Sequence, residues 1–156
     1  MSKAIWLAML TAWPLLVHAQ SQSNVYRAEV QQGAAPRWEP DGWYTLGGRG
    51  AQRAVAIDIR STDDGQSLSG SMTYAGEGPL RLRLTHLRGG HFRTEVCWGG
   101  PDAPWHANGD MVLGSNGDIK PVLAFDVRSD DGGETLAGTV TYRGDAPIAW
   151  RGRRAP

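Results

Sequence analysis

The sequence predicts an all-β fold, a single compact antiparallel barrel of about ten strands built from two tandem repeats. Three observations carry that expectation. The stretch IDIRSTDDGQSLSGSMTYAGEGPL at 57–80 recurs without a gap as FDVRSDDGGETLAGTVTYRGDAPI at 125–148, every residue shifted by 68 as Asp58 is to Asp126. Within each copy, apolar residues alternate with polar or small ones, the period of a half-buried strand. Beyond the N-terminal segment, no stretch pairs a 3.6-residue apolar period with helix caps.

Each element follows from local chemistry. Residues 1–19 read as an export signal: Lys3 gives the positive start, 4–17 is mostly apolar, and Val17-His18-Ala19 offers the small-x-small cleavage pattern. Pro14 interrupts that run, which falls short of the roughly 20 residues a membrane helix needs. The protein is thus expected to be secreted or periplasmic, cut after Ala19, with a barrel over 20–156. In the first copy, Ala54 to Ile59 and Leu68 to Tyr74 alternate as strands, and Asp64-Gly65 between them suits a hairpin turn. Leu80 to Leu84 sets leucines on one face and arginines on the other, and Phe92 to Val96 repeats the pattern. The match also extends backward, since EVQQGAAPRW at 29–38 answers EVCWGGPDAPW at 95–105 with one residue missing. The copies cover about 25–90 and 91–154, and two sets of five strands closing on each other leave no exposed edge. The RGRR run at 151–154 reads as a solvated tail rather than a binding patch.

Composition narrows the function. Sixteen Lys and Arg balance sixteen Asp and Glu, which gives no electrostatic case for nucleic acid. One cysteine in an exported chain cannot form an internal disulfide, so Cys97 is a free thiol or an intermolecular bridge between otherwise monomeric chains. Cys97 with His91 or His106 resembles a thiol nucleophile and base only in composition. Glycoside hydrolysis needs a pair of carboxylates about 5–10 Å apart, and no such pair is evident. Asn108-Gly109-Asp110 and Asn116-Gly117-Asp118 lack the ligand spacing of a calcium loop and read as turns. The chain is therefore expected to be non-catalytic, without metal or cofactor.

Three glycine-rich turns remain. Trp98-Gly99-Gly100 sets a flat aromatic face beside backbone that a ligand can approach closely, which suits a sugar. Trp98 could equally plug a barrel end, and a plug is the reading for Trp105. Glu77, between Gly76 and Gly78, should project from a turn where its carboxylate could accept hydroxyl groups or stay solvated. Arg49 stands in a third such turn, Gly47-Gly48-Arg49-Gly50.

Together, Trp-Gly-Gly followed by Ala-Pro-Trp, Leu-Gly-Gly-Arg, and the run from Asp63 to Pro79 resemble the Oscillatoria agardhii agglutinin family of lectins. The resemblance spans both copies, about 26–151. It implies a ten-stranded barrel that binds high-mannose glycans without metal, one site at each end, each site drawing on both copies. One site would join Trp98, Gly99 and Gly100 to Arg49, Glu77 and Gly78, and all six positions match. The other would fall on Gln32, Gly33, Ala34, Asn116, Asp145 and Ala146, where platform, cation and long carboxylate are replaced. The expectation is a lectin with one intact site and one degenerate site. The alternative is an envelope or matrix interaction module that has lost glycan binding.

Overall fold

The computed structural model describes residues 24–31, 37–47, 52–114 and 120–156. Ten strands form: β1 Val25–Gln31, β2 Trp38–Leu46, β3 Ala54–Arg60, β4 Ser67–Tyr74, β5 Leu80–Arg88, β6 His91–Cys97, β7 His106–Leu113, β8 Val122–Arg128, β9 Thr135–Tyr142 and β10 Ile148–Arg154. They close into one antiparallel barrel in the order β1-β10-β9-β8-β3-β4-β5-β6-β7-β2. The inward face of each strand carries its apolar set, as in Leu82 and Leu84 on β5 or Tyr26, Ala28 and Val30 on β1.

The two copies exchange strands. β2 pairs with β7 and β3 with β8, so the β2–β3 and β7–β8 connections each lead halfway round the ring. The register shows the symmetry of this exchange. Asp58 stands opposite Asp126, its own equivalent, and Thr45 stands opposite Val112, likewise its equivalent. A pseudo-twofold axis through these pairs crosses the barrel at right angles and swaps its ends. Equivalent loops therefore lie at opposite ends.

Two glycines show how tightly the frame is set. A Cβ on Gly70 would meet the Asp58 carbonyl oxygen at 1.9 Å, and one on Gly138 would meet that of Asp126 at 1.9 Å. The core itself is not symmetric. Tyr44, Phe125 and Trp150 pack ring on ring at 4.9–5.6 Å between centroids, where the equivalent positions hold Met111, Ile57 and Leu82.

The RGRR run departs from the expected tail. It belongs to β10, hydrogen-bonded between β1 and β9, with Trp150 and Gly152 facing inward between outward arginines. Trp105 also departs from the sequence reading: neither it nor its first-copy equivalent, Trp38, plugs the barrel. Each lies under an arginine, Trp38 beneath Arg151 at 4.1 Å and Trp105 beneath Arg83 at 4.2 Å. The same cation–π pair holds both copies, and Trp150 fills the interior instead.

Candidate functional site

Strand direction sorts the loops. Connections β2–β3, β4–β5, β6–β7 and β8–β9 gather at one end, called here the Trp98 end. The other five gather at the opposite, Lys120 end. Trp98 and Glu77, contributed by different copies, thus reach the same end, and they line one cleft of about 610 Å³.

Its floor is set by buried polar pairing. Tyr74 and Asn108 bond to each other, with Asn108 Nδ2 2.9 Å from the Tyr74 hydroxyl. Burial pushes the Tyr74 hydroxyl above the ordinary tyrosine range, so it stays protonated. On one wall, the backbone N–H of Glu77 donates to the Tyr74 carbonyl (3.0 Å), closing the turn from which the carboxylate projects. Gln52 Nε2 donates to Glu77 Oε1 at 3.1 Å, and among the described residues the other oxygen has no hydrogen-bond partner.

On the facing wall, Trp98 is 57% exposed. One face of its indole stacks on His106 at 4.3 Å between ring centroids, nearly parallel. Gly99 turns the chain at φ +107°, which a side chain rarely tolerates. At Gly100 and Gly78 a Cβ would meet nothing within 4 Å, so both backbones face open space. Arg81 braces this loop from beneath: Nη2 donates to the Gly100 carbonyl at 3.1 Å and to Cys97 Sγ at 2.9 Å. Cys97 is only 1% exposed, so an intermolecular bridge would require this loop to open.

Arg49 lies outside the described residues. The residues that bracket it are fixed at the Trp98 end by buried Asn24, whose Nδ2 donates to the carbonyls of Gly47 (3.1 Å) and Gln52 (2.7 Å).

The Lys120 end carries the same frame with other chemistry. Asp145 N–H donates to the Tyr142 carbonyl at 3.0 Å, repeating the Glu77 turn. There Lys120, the equivalent of Gln52, donates to Asp145 Oδ2 at 3.0 Å, so a full cation engages the shorter carboxylate. Asp41 replaces Asn108 and accepts from Tyr44 (2.7 Å) and Tyr142 (2.8 Å). Burial raises both tyrosines well above their usual range. Ala146 stands where Gly78 does, and Ala149 where Arg81 does. Gln32, Gly33, Ala34 and Asn116 lie outside the described residues.

Sequence reasoning brought Trp98, Gly99, Gly100, Glu77 and Gly78 to one place but missed Gln52, Arg81 and His106. A residue-by-residue comparison of the copies would have flagged them, because their equivalents are Lys120, Ala149 and Glu39. Among the described residues, no group of three or more His, Cys, Asp or Glu could hold a metal ion.

A strand-exchanged barrel whose loop-end cleft sets an exposed tryptophan across from a carboxylate has the chemistry of a sugar-binding protein, a lectin. The OAA-family lectin sugar binding domain matches twice, over 24–87 and 90–155, and the chain belongs to that family. Lectin OAA of Planktothrix agardhii is 46% identical over 130 residues, covering 82% of this chain and 97% of that protein. The Myxobacterial hemagglutinin of Myxococcus xanthus is 45% identical over 85% of this chain, which spans 49% of the relative's length. In structure, the Pseudomonas fluorescens agglutinin superposes with a TM-score of 0.80 at 42% identity, over 84% of this chain and 99% of its own. The Myxococcus xanthus hemagglutinin in complex with a3,a6-mannopentaose also gives 0.80, at 41% identity, covering 84% of this chain and 49% of that one. Of the two readings drawn from the sequence, the family decides for the lectin.

Proposed function

We propose that the protein is an exported lectin that binds branched, mannose-rich glycans through a single site at the Trp98 end. The observation that carries this reading is the open cleft shared by Trp98, Glu77 and Gly78. The free indole face of Trp98 receives the C–H face of a mannose ring. Gly78, Gly99 and Gly100 let backbone groups reach the hydroxyl rim, and Arg49 supplies the cation. Glu77, oriented by Gln52, accepts hydroxyl protons in charge-assisted bonds worth about 1.5–3 kcal/mol.

The Lys120 end is read as degenerate. Its carboxylate is already paired, and at 32–34 and 116 the sequence offers no tryptophan platform and no arginine. No turnover is expected, because Glu77 is the one carboxylate among the described residues lining the cleft and hydrolysis needs two. Lys3, the apolar run to Val17 and the Ala19 cleavage pattern support export.

Calorimetry with α3,α6-mannopentaose tests the reading. Binding by wild type that weakens roughly 30-fold in Trp98→Ala is expected. Absence of binding by wild type, or full binding by the variant, would contradict it.

A further inference from the structure

Outside the cleft, the outer wall of β2, β1, β10 and β9 carries a row of unusual composition. Trp43 stands opposite Arg27, Arg27 opposite Arg153, and Arg153 opposite Thr135, all on the outward face. Trp43 is 51% exposed although Tyr44 beside it is fully buried. Arg27 and Arg153 line a groove of about 490 Å³, together with Thr135 and Ala137.

Like charges directly opposite on paired strands are destabilising. Among the described residues, neither Arg27 nor Arg153 is in an ion pair. The one carboxylate lining the groove, Glu29, is taken by Arg151 at 3.0 Å. Arg151 in turn rests on Trp38. Two exposed guanidinium groups therefore share a groove with no free protein carboxylate among its lining residues.

The duplication supplies an internal control. The equivalent row on the opposite wall reads Asp110, Arg93, Thr85 and Ser67. There a single arginine faces an aspartate, and no aromatic ring is present. The shared frame thus accounts for neither Trp43 nor the second arginine.

We infer that this wall is a second saccharide site, separate from the Trp98 cleft, that takes an acidic polysaccharide of uronic acid residues. A uronate ring offers both features the row selects: a C–H face for the Trp43 indole and, on the same sugar, a planar carboxylate for the arginine fork. The Thr135 hydroxyl, which donates to Asp131 at 2.7 Å, can still accept from a sugar hydroxyl at the far side of the row. A neutral mannan lacks the anion, and a sulfated chain would use the charge without needing the ring.

Affinity electrophoresis through gels containing polygalacturonate tests this, with thermal melting to confirm that each variant folds. Wild type, Trp98→Ala and Arg93→Gln should be retarded equally. Retardation should fall at least fivefold in Trp43→Ala and in the double variant Arg27→Gln/Arg153→Gln. Using Trp98→Ala keeps this test independent of the mannose reading. Free migration of wild type would overturn the inference, as would undiminished retardation of Trp43→Ala or an equal loss in Arg93→Gln. Dextran sulfate retarding wild type and Trp43→Ala alike, with polygalacturonate retarding neither, would reduce the wall to a general anion binder and overturn it as well.

Discussion

The two ends of the barrel are the same loops on the same strands, yet they present opposite chemistry to solvent. Among the described residues of the Trp98 end, Glu77 keeps one oxygen unengaged and the indole keeps one face open. At the Lys120 end, the equivalent carboxylate is closed by a lysine, and a second carboxylate, Asp41, is held by two tyrosines. At the Glu77 and Asp145 turns the difference does not lie in the backbone, since the two share their closing hydrogen bond. It lies in which polar groups are already satisfied from within. A group paired inside the protein must lose that partner before it can serve a ligand.

If the frame is truly common, breaking it at either copy should do equal harm. Gly70→Ala and Gly138→Ala each drive a Cβ into a carbonyl oxygen, and each should cost about 3 kcal/mol in denaturant unfolding. A loss in only one would show that the copies are not equally tight. The ends themselves should separate sharply in binding. Trp98→Ala should lose about 2 kcal/mol of oligomannose affinity, roughly 30-fold, with little change in melting temperature. Lys120→Ala at the opposite end should leave calorimetric affinity unchanged.

Arg81 sharpens the comparison further, because it braces the intact loop and its equivalent is Ala149. As a positioning residue, it should cost roughly fivefold in affinity when changed to Ala, about 1 kcal/mol. Arg81→Lys, keeping charge but losing the planar fork, should recover only part of it. If Arg81 served the fold alone, stability would fall and affinity would hold.

The smallest effect concerns a feature common to both ends. Hydrogen bonds from the Thr135 hydroxyl and backbone, then Ser129, hold the Asp131 carboxyl at about 2, below its ordinary 3.8. Asp63 is lowered in the same way by Ser67 and Ser61. A depressed carboxyl stabilises the fold above its unfolded pKa, and that contribution disappears as pH falls from about 4 through about 2. Asp131→Asn should therefore melt slightly below wild type at pH 7, with the gap closing by pH 2.

Much of this was legible in the sequence. Period-two alternation placed the leucines of β5 inward, and the gapless repeat announced two equivalent units. The strand exchange was not, because alternation says which face a residue takes and not which strand it meets. The self-pairing of Asp58 with Asp126 exists only once both copies are folded together. Trp105 misled for a related reason: a large apolar ring suggests burial, but Arg83, two strands away round the barrel, covers it on the wall instead. In the site, the tryptophan, glycines and glutamate stood out by type. Gln52 and Arg81 did not, since a polar residue near a strand end is ordinary until its partner is known.

The central claim is that one end binds and the other does not. Titrating the chain with α3,α6-mannopentaose while following backbone amide shifts measures this directly. One ligand per chain is expected, with the largest shifts at Glu77, Gly78 and Trp98 to Gly100 and none at Asp145 or Ala146. Two ligands per chain, or shifts of comparable size at Asp145 and Ala146, would contradict the account.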